Sequence, residues 1–152
     1  MPADLPLDLN PPSLRGHTTS PLHLAQELSR VVDRALLTEQ HTPTMLDELV
    51  VHAVRMVSGA DGASIRLLSQ HHQVTFGDAS DTLPALLDAI QAETGDGPSL
   101  HAISAEQPVR VPDLQHEQRW PRFASHARES GAGSMLSVPL VVGGSSLGSL
   151  TL

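Results

Sequence analysis

Apolar residues recur every three or four positions in two consecutive stretches near the beginning of the chain, 22–37 and 44–58. This spacing places the apolar side chains on one face of a helix, with the charged residues on the other faces. Pro43 separates the two stretches, and Gly59 offers a cap where the second one stops. We therefore predict two amphipathic helices joined by a short linker.

Extended apolar runs occur in two pairs farther along the chain. ASIRLL and QVTFG flank the polar turn QHH, and SMLSVPLVV and SSLGSLTL flank Gly143-Gly144. Two runs of strand type around a two-residue glycine turn are typical of an antiparallel hairpin. The sequence thus predicts two hairpins, of which the second carries the clearer signal.

Glycine and proline divide the region between the hairpins. LPALLDAIQAETG is of helical type and places Gly95 where the helix should end, and Pro98 is suited to the first position of a short helix. Pro108 forbids continuation of that short helix. The stretch 109–111 is a brief strand whose following Pro112 cannot donate to a ladder, so we expect it at an edge of the sheet.

The resulting element order predicts an α+β fold. Trp120-Pro121 starts one further helix, RFASHARESG, before the last hairpin. Helices and strands in this order form an antiparallel sheet with helices grouped around it. The first 21 residues hold five of the twelve prolines without helical or strand periodicity, so we expect a disordered tail over 1–20. We divide the remainder into a helix with its linker, 21–42, and one domain, 43–152.

Composition excludes several functions. The chain has no cysteine, which removes disulfides, thiolate metal sites and cysteine nucleophiles. Its formal net charge is -8 and its basic residues are all arginine, so no basic stripe is available to follow a phosphate backbone, and we expect no binding to nucleic acid. No apolar run is long enough to span a membrane and no signal peptide is visible, so we expect no membrane partner and a cytoplasmic location.

GDGPSLHAISAEQPVRVPDL, followed by RWPRFASHARESGAGSMLSVPLVVGGSSLGSLTL, resembles the GAF domain, in particular the versions common in high-GC bacteria. The resemblance covers roughly 43–152. It implies a sensory or regulatory module with a GAF/PAS-like antiparallel sheet of five to six strands flanked by helices. The helices behind the sheet would mediate dimerisation, and a small-molecule pocket would lie on the other face. Relatives of this subtype often precede an ANTAR or PP2C-type output domain. The family also closes with a C-terminal helix, which we expect this chain to lack because it stops at Leu152.

The sequence departs from several branches of this family. Many relatives have cysteine where Ser99 stands, and the free methionine sulfoxide reductases and the classical bilin-binding members need cysteines too. The NKFDE set of cyclic-nucleotide-binding members is missing as well. The serines lie in turns without a G-x-S-x-G elbow, so we expect no enzymatic activity, and the sequence leaves a cofactor unknown.

The predicted ligand pocket is lined mainly by apolar side chains, as small-molecule pockets usually are. Simple core packing is the alternative role for each of these residues, because a chain with 2% aromatics needs them in its core. The candidate residues are Ile65, Leu67, Phe76, Leu100, His101, Val111, Trp120, Phe123, His126, Met135 and Val138.

Histidines and arginines suggest two further sites. His101 and His126 are the only two of the nine histidines that we expect near the ligand face, where one could hold haem. No histidine pair has the spacing of a metal site on a helix, so we predict no metal site. Arg110, Arg119, Arg122 and Arg128 could together bind an acidic metabolite, although surface arginines are more often solvated or ion-paired.

The helix over 22–37 leaves an apolar stripe that the sheet does not need. It must be buried either on the domain itself or against a second copy, and we favour a four-helix homodimer interface with the helix over 44–58. Two functions follow. The first is a sensory or regulatory domain that binds a small molecule and signals through its helices to an output domain or partner protein. The alternative is a ligand-free dimerisation or protein-interaction scaffold.

Overall fold

The computed structural model describes residues 43–68 and 74–152. The predicted tail 1–20, the helix and linker over 21–42 and the QHH turn lie outside the described residues, so these predictions stay predictions. No helix within the described part of the chain is long and apolar enough to cross a membrane.

The described elements follow the predicted order. There are four helices and five strands in these residues, and we number them along the chain. The helices are α1 (Pro43–Met56), α2 (Thr82–Thr94), α3 (Pro98–Ala105) and α4 (Pro121–Glu129). The strands are β1 (Ser64–Leu68), β2 (Val74–Ala79), β3 (Val109–Val111), β4 (Met135–Val142) and β5 (Ser145–Thr151).

The five strands form one antiparallel sheet in the order β2-β1-β5-β4-β3. The α+β class and the antiparallel sheet are confirmed, as is the position of β3 at an edge. Pro112 follows the last residue of this strand and so removes no hydrogen bond from the ladder.

Turn chemistry positions the last hairpin as predicted. Gly143 and Gly144 both have positive φ, 59° and 83°, which is the backbone of a type I′ turn and suits the twist of an antiparallel pair. Within β5, a side chain at Gly148 would collide with the carbonyl oxygen of Arg66 on β1. Only glycine therefore allows β5 to lie this close to β1.

The two faces of the sheet are covered by different helices. On one face, α1 packs its buried apolar side chains onto the centre of the sheet. On the other face, α2, α3 and α4 enclose a second apolar cluster together with β3 and the start of β4. The first cluster comprises Leu46, Leu49, Val50, Ala53, Ala63, Ile65, Leu67, Leu140 and Leu150.

Candidate functional site

Strand β1 alternates between polar and apolar residues, and both kinds are buried. Ile65 and Leu67 point to the face that α1 covers, so Ser64 and Arg66 point to the face that α2 covers. Ser64 is 3% exposed and Arg66 is 4% exposed. Serine and arginine are rarely buried to this degree unless a structural or functional partner holds them.

The strand register extends this polar row across the sheet. Ser64 lies opposite Thr151 of β5, and Thr151 lies opposite Ser137 of β4; Arg66 lies opposite Ser149. The hydroxyls of Ser137 and Thr151 hydrogen bond to each other at 2.9 Å. We call these five buried side chains the polar layer: Ser64, Arg66, Ser137, Ser149 and Thr151.

Helix α2 supplies the partner of the buried guanidinium. Arg66 Nη2 donates to the backbone carbonyl of Asp88 and lies 3.5 Å from the Asp88 carboxylate. Burial raises the pKa of Asp88, and the positive charge of Arg66 and a hydrogen bond from Ser64 oppose that rise. The ion pair thus has one buried and one half-buried member, with an aspartate that holds its proton more tightly than usual.

One turn farther along α2, Gln91 is fully buried and connects α2 to α3. Its Oε1 accepts a hydrogen bond from the backbone N–H of Ser99 at 2.8 Å, near the beginning of α3. A side chain at Gly97 would collide with that of Gln91, so the glycine before Pro98 gives the amide its room. This contact explains why the stretch GDGPS is needed where α3 begins.

Four buried side-chain atoms in this region have no hydrogen-bond partner among the described residues: Arg66 Nη1, Gln91 Nε2, Ser99 Oγ and Ser149 Oγ. An unsatisfied buried polar group costs roughly 1–3 kcal/mol, so native proteins rarely keep several of them close together without a bound partner. The polar face of the sheet therefore carries unused hydrogen-bonding capacity.

A cavity of about 500 Å³ opens at one end of the same face. Ser64 and Thr151 of the polar layer form part of its wall, and Leu87 of α2 adds an apolar surface. These two polar residues stand two positions along their strands from Arg66 and Ser149, on the same face of the sheet. The rest of the wall comes from 57–62, Asp81 and the start of α2, 110–112, 131–136 and Leu152.

The structure separates the predicted pocket residues into groups. Val111 and Met135, opposite each other in the register, line the cavity. Ile65 and Leu67 belong to the cluster under α1, and Val138, opposite Leu150, lies on that same face. The structure therefore does not bring these three to the cavity.

The aromatic and histidine candidates lie near α3 and α4. Trp120 and Phe123 are buried in the apolar cluster on the polar-layer side, where Val111 and Met135 also pack. His101 is exposed, and its ring meets that of Trp120 edge-on at a centroid distance of 5.5 Å.

The remaining candidates are scattered. His126 is exposed on α4, and Leu100 is half-buried on α3. Phe76 lies opposite Leu67 on the edge strand β2. Among the described residues there is no group of three histidine, aspartate or glutamate side chains that could hold a metal ion.

Of the four arginines considered for an anion site, Arg119 and Arg128 are engaged locally and Arg122 is exposed. Arg119 pairs with Glu117 at 2.6 Å and stacks on the Trp120 ring at 4.4 Å. This pairing lowers the pKa of Glu117 and raises that of Arg119. Arg128 donates to the carbonyl of Gln115, and Arg110 lies at the cavity wall.

Sequence reasoning missed the polar layer, although its signal was present. In SIRLL, polar residues alternate with the pocket candidates Ile65 and Leu67, and SLTL on the last strand shows the same alternation. In a sheet covered by helices on both faces, the polar positions of such strands face a buried layer and not solvent. The alternation was therefore the informative pattern.

A five-stranded antiparallel sheet covered on both faces, with a cavity at one end, defines a class of α+β domains. A family model described as the GAF domain matches residues 39–152. The chain belongs to the GAF domain family. No curated protein matches the sequence.

Solved structures show the same fold at low sequence identity. A domain of a protein described as a two-component sensor histidine kinase from Sinorhizobium meliloti is 16% identical, with a TM-score of 0.55 over 74% of this chain and 72% of that one. The GAF domain region of a protein described as a membrane protein from Geobacter sulfurreducens is 14% identical, with a TM-score of 0.50 over 86% of this chain and 76% of that one.

Proposed function

We propose that this domain is a sensory module that binds a small molecule at the polar layer and transmits binding through its helices to an output domain or partner protein. The observation that supports the proposal best is the set of buried polar atoms without partners, two of which, on Arg66 and Ser149, belong to the same polar layer as the cavity-lining Ser64 and Thr151. A bound molecule would satisfy these atoms and recover the free energy lost by burying them. The proposal includes a homodimer, in the cytoplasm.

The chemistry of this layer supports binding and not catalysis. The hydroxyls of Ser99 and Ser149 have no hydrogen-bond partner among the described residues, so no base activates them as nucleophiles. The chain also has no cysteine, which rules out a thiol mechanism. We therefore propose a non-enzymatic role.

One observation favours the ligand-free scaffold as a second candidate. Helix α1 keeps two large apolar side chains exposed, Val51 at 37% and Met56 at 40%. Exposed apolar side chains on a helix are suited to packing against another helix. A scaffold would use this surface without needing the polar layer.

Native mass spectrometry of the purified full chain tests the proposal, with spectra taken under gentle and denaturing conditions. We expect a dimer that carries an additional mass under gentle conditions and loses it on denaturation. Thr151→Leu places an apolar side chain at the inner cavity wall and should abolish the additional mass. The matched control is Ser145→Leu, at an exposed position of the same strand, which should keep it.

Two outcomes would contradict the proposal. If Thr151→Leu retains the additional mass as well as Ser145→Leu does, the molecule binds elsewhere. If the wild-type chain carries no additional mass and a library of small metabolites does not raise its melting temperature, the domain acts as the scaffold.

A further inference from the structure

The atoms without partners in the buried layer are predominantly donors. Arg66 Nη1 and Gln91 Nε2 can only donate, and the hydroxyls of Ser99 and Ser149 can donate or accept. The orientation of the Gln91 amide follows from its contact, because its Oε1 already accepts the Ser99 N–H at 2.8 Å. The partner that would satisfy all four atoms is therefore an acceptor.

The four donors come from elements that pack against one another on one face of the sheet. Arg66 and Ser149 stand directly opposite each other on β1 and β5. Arg66 bonds to Asp88 of α2, and Gln91 follows one turn later on that helix and bonds to the Ser99 backbone. Helix α3, which carries Ser99, packs across β4 and β5. The donors thus lie on strands and helices that pack together on this face of the sheet.

The charges already present in the polar layer limit which kind of acceptor group can bind there. Arg66 brings one positive charge into the layer, and the Asp88 carboxylate lies 3.5 Å from it. The Asp88 carboxylate already balances the charge of Arg66, so a bound monoanion adds one negative charge and a dianion adds two. Burial raises the pKa of Asp88, so uptake of one proton there can offset the charge of a monoanion but not that of a dianion. A single water accepts only two hydrogen bonds, but a carboxylate offers about four acceptor sites and fits the fork of a guanidinium.

We propose that the polar layer binds the carboxylate group of a small monocarboxylic metabolite, with Arg66 Nη1 as the charged anchor and Gln91, Ser99 and Ser149 as neutral donors. This inference rests on the proposed function, since it specifies the ligand class of the same site. The rest of the metabolite extends past Ser64 and Thr151 into the cavity, whose wall is partly apolar. The polar layer therefore recognises the charged end of the ligand.

The test uses acetate as the probe and acetamide as its neutral counterpart of similar shape. The full chain is titrated with sodium acetate, with acetamide and with sodium phosphate, at ionic strength held constant with sodium chloride. Arginine Nε–Hε cross-peaks are followed by NMR, and the chain has only nine basic residues, all arginine. We expect acetate to shift one cross-peak saturably, and acetamide and phosphate to leave it in place.

Substitutions test whether the cross-peak shift caused by acetate comes from the polar layer. Arg66→Met should remove the shifting cross-peak and weaken acetate binding about tenfold or more, the loss expected for a charge-assisted hydrogen bond. Arg122→Met is the matched control, since it removes the same charge from an exposed position and should keep the wild-type response. Ser149→Ala leaves the ion pair intact and should weaken acetate binding several-fold even if Arg66→Met does not fold.

Each contrary result has a distinct meaning. An equal response to acetamide would overturn the carboxylate assignment, as would a saturable acetate shift that survives in both Arg66→Met and Ser149→Ala. If wild-type chain shows no acetate shift but carries an additional mass that Thr151→Leu abolishes, the carboxylate inference fails and the proposed function stands. If the additional mass and the acetate shift are both missing, both fail.

Discussion

Both faces of the sheet are buried, but only the face under α2 and α3 carries a polar layer beside its apolar cluster. Leu150 and Ser149 are neighbours on β5, exposed by 2% and 1%, yet Leu150 lies in the apolar cluster under α1 and Ser149 lies in the polar layer under α2 and α3. Each side chain buried on the apolar face stabilises the folded state. The polar face leaves hydrogen-bonding groups unsatisfied, so its composition is better explained by binding than by folding.

Among the substitutions that test this difference, we expect the largest effect from Leu150→Ala on the apolar face. Removing a fully packed leucine from a core costs about 2–5 kcal/mol, because apolar contacts are lost and a cavity remains. Urea unfolding should show this loss in the free energy of unfolding, and it should be the same with and without acetate. An acetate-dependent loss would show that the α1 face is coupled to the site.

Gln91→Leu tests the polar face where it does have a structural role. The variant removes the acceptor of the Ser99 N–H and leaves that buried donor unsatisfied, which should cost about 1–3 kcal/mol in the free energy of unfolding. Gln91→Glu is the control, because its carboxylate can still accept from Ser99. Equal losses in both variants would show that packing of the side chain, and not the hydrogen bond, connects α2 to α3.

The raised pKa of Asp88 makes the polar face sensitive to pH. Because the folded state holds this proton more tightly than the unfolded chain, Asp88 lowers stability as the pH rises from its ordinary value of 3.8 through the folded pKa, and its effect is constant above. Asparagine cannot titrate. The melting temperature of Asp88→Asn relative to wild type should therefore increase between about pH 3.5 and pH 7. A difference independent of pH would show that Asp88 keeps its ordinary pKa.

Ser149→Ala should have the smallest effect on stability. Its hydroxyl has no partner among the described residues, so its removal should change the free energy of unfolding by less than about 0.5 kcal/mol or raise it slightly. Thr151→Val is the contrasting control, because its hydroxyl is bonded to Ser137 and its loss should cost about 1 kcal/mol. If Ser149→Ala is the more costly of the two, the hydroxyl has a partner that these contacts do not include.

The sequence was sufficient for the fold because local chemistry determines its boundaries. Gly95 ends α2 in the left-handed conformation, Pro98 begins α3, and Gly143-Gly144 turns the last hairpin, as the pattern predicted. These signals act over a few residues, so they can be read without knowing the tertiary structure.

The site residues were harder to predict from the sequence than the fold, because their position depends on the register of the strands. The prediction selected Ile65 and Val138 as pocket residues, while the structure places their strand neighbours Arg66 and Ser137 in the polar layer. A shift of one residue along a strand exchanges the two faces of the sheet. Which face carries the polar layer follows from the packing of α1 and α2, and residue spacing alone does not contain that information.

The most direct test of the central claim is a crystal structure at atomic resolution of the full chain grown in acetate. We predict density for a planar carboxylate in the polar layer, within hydrogen-bonding distance of Arg66 Nη1 and of the Ser149 hydroxyl. Density for water molecules alone, satisfying all four unpartnered atoms, would contradict the account. The buried polar face would then be a hydrated part of the core.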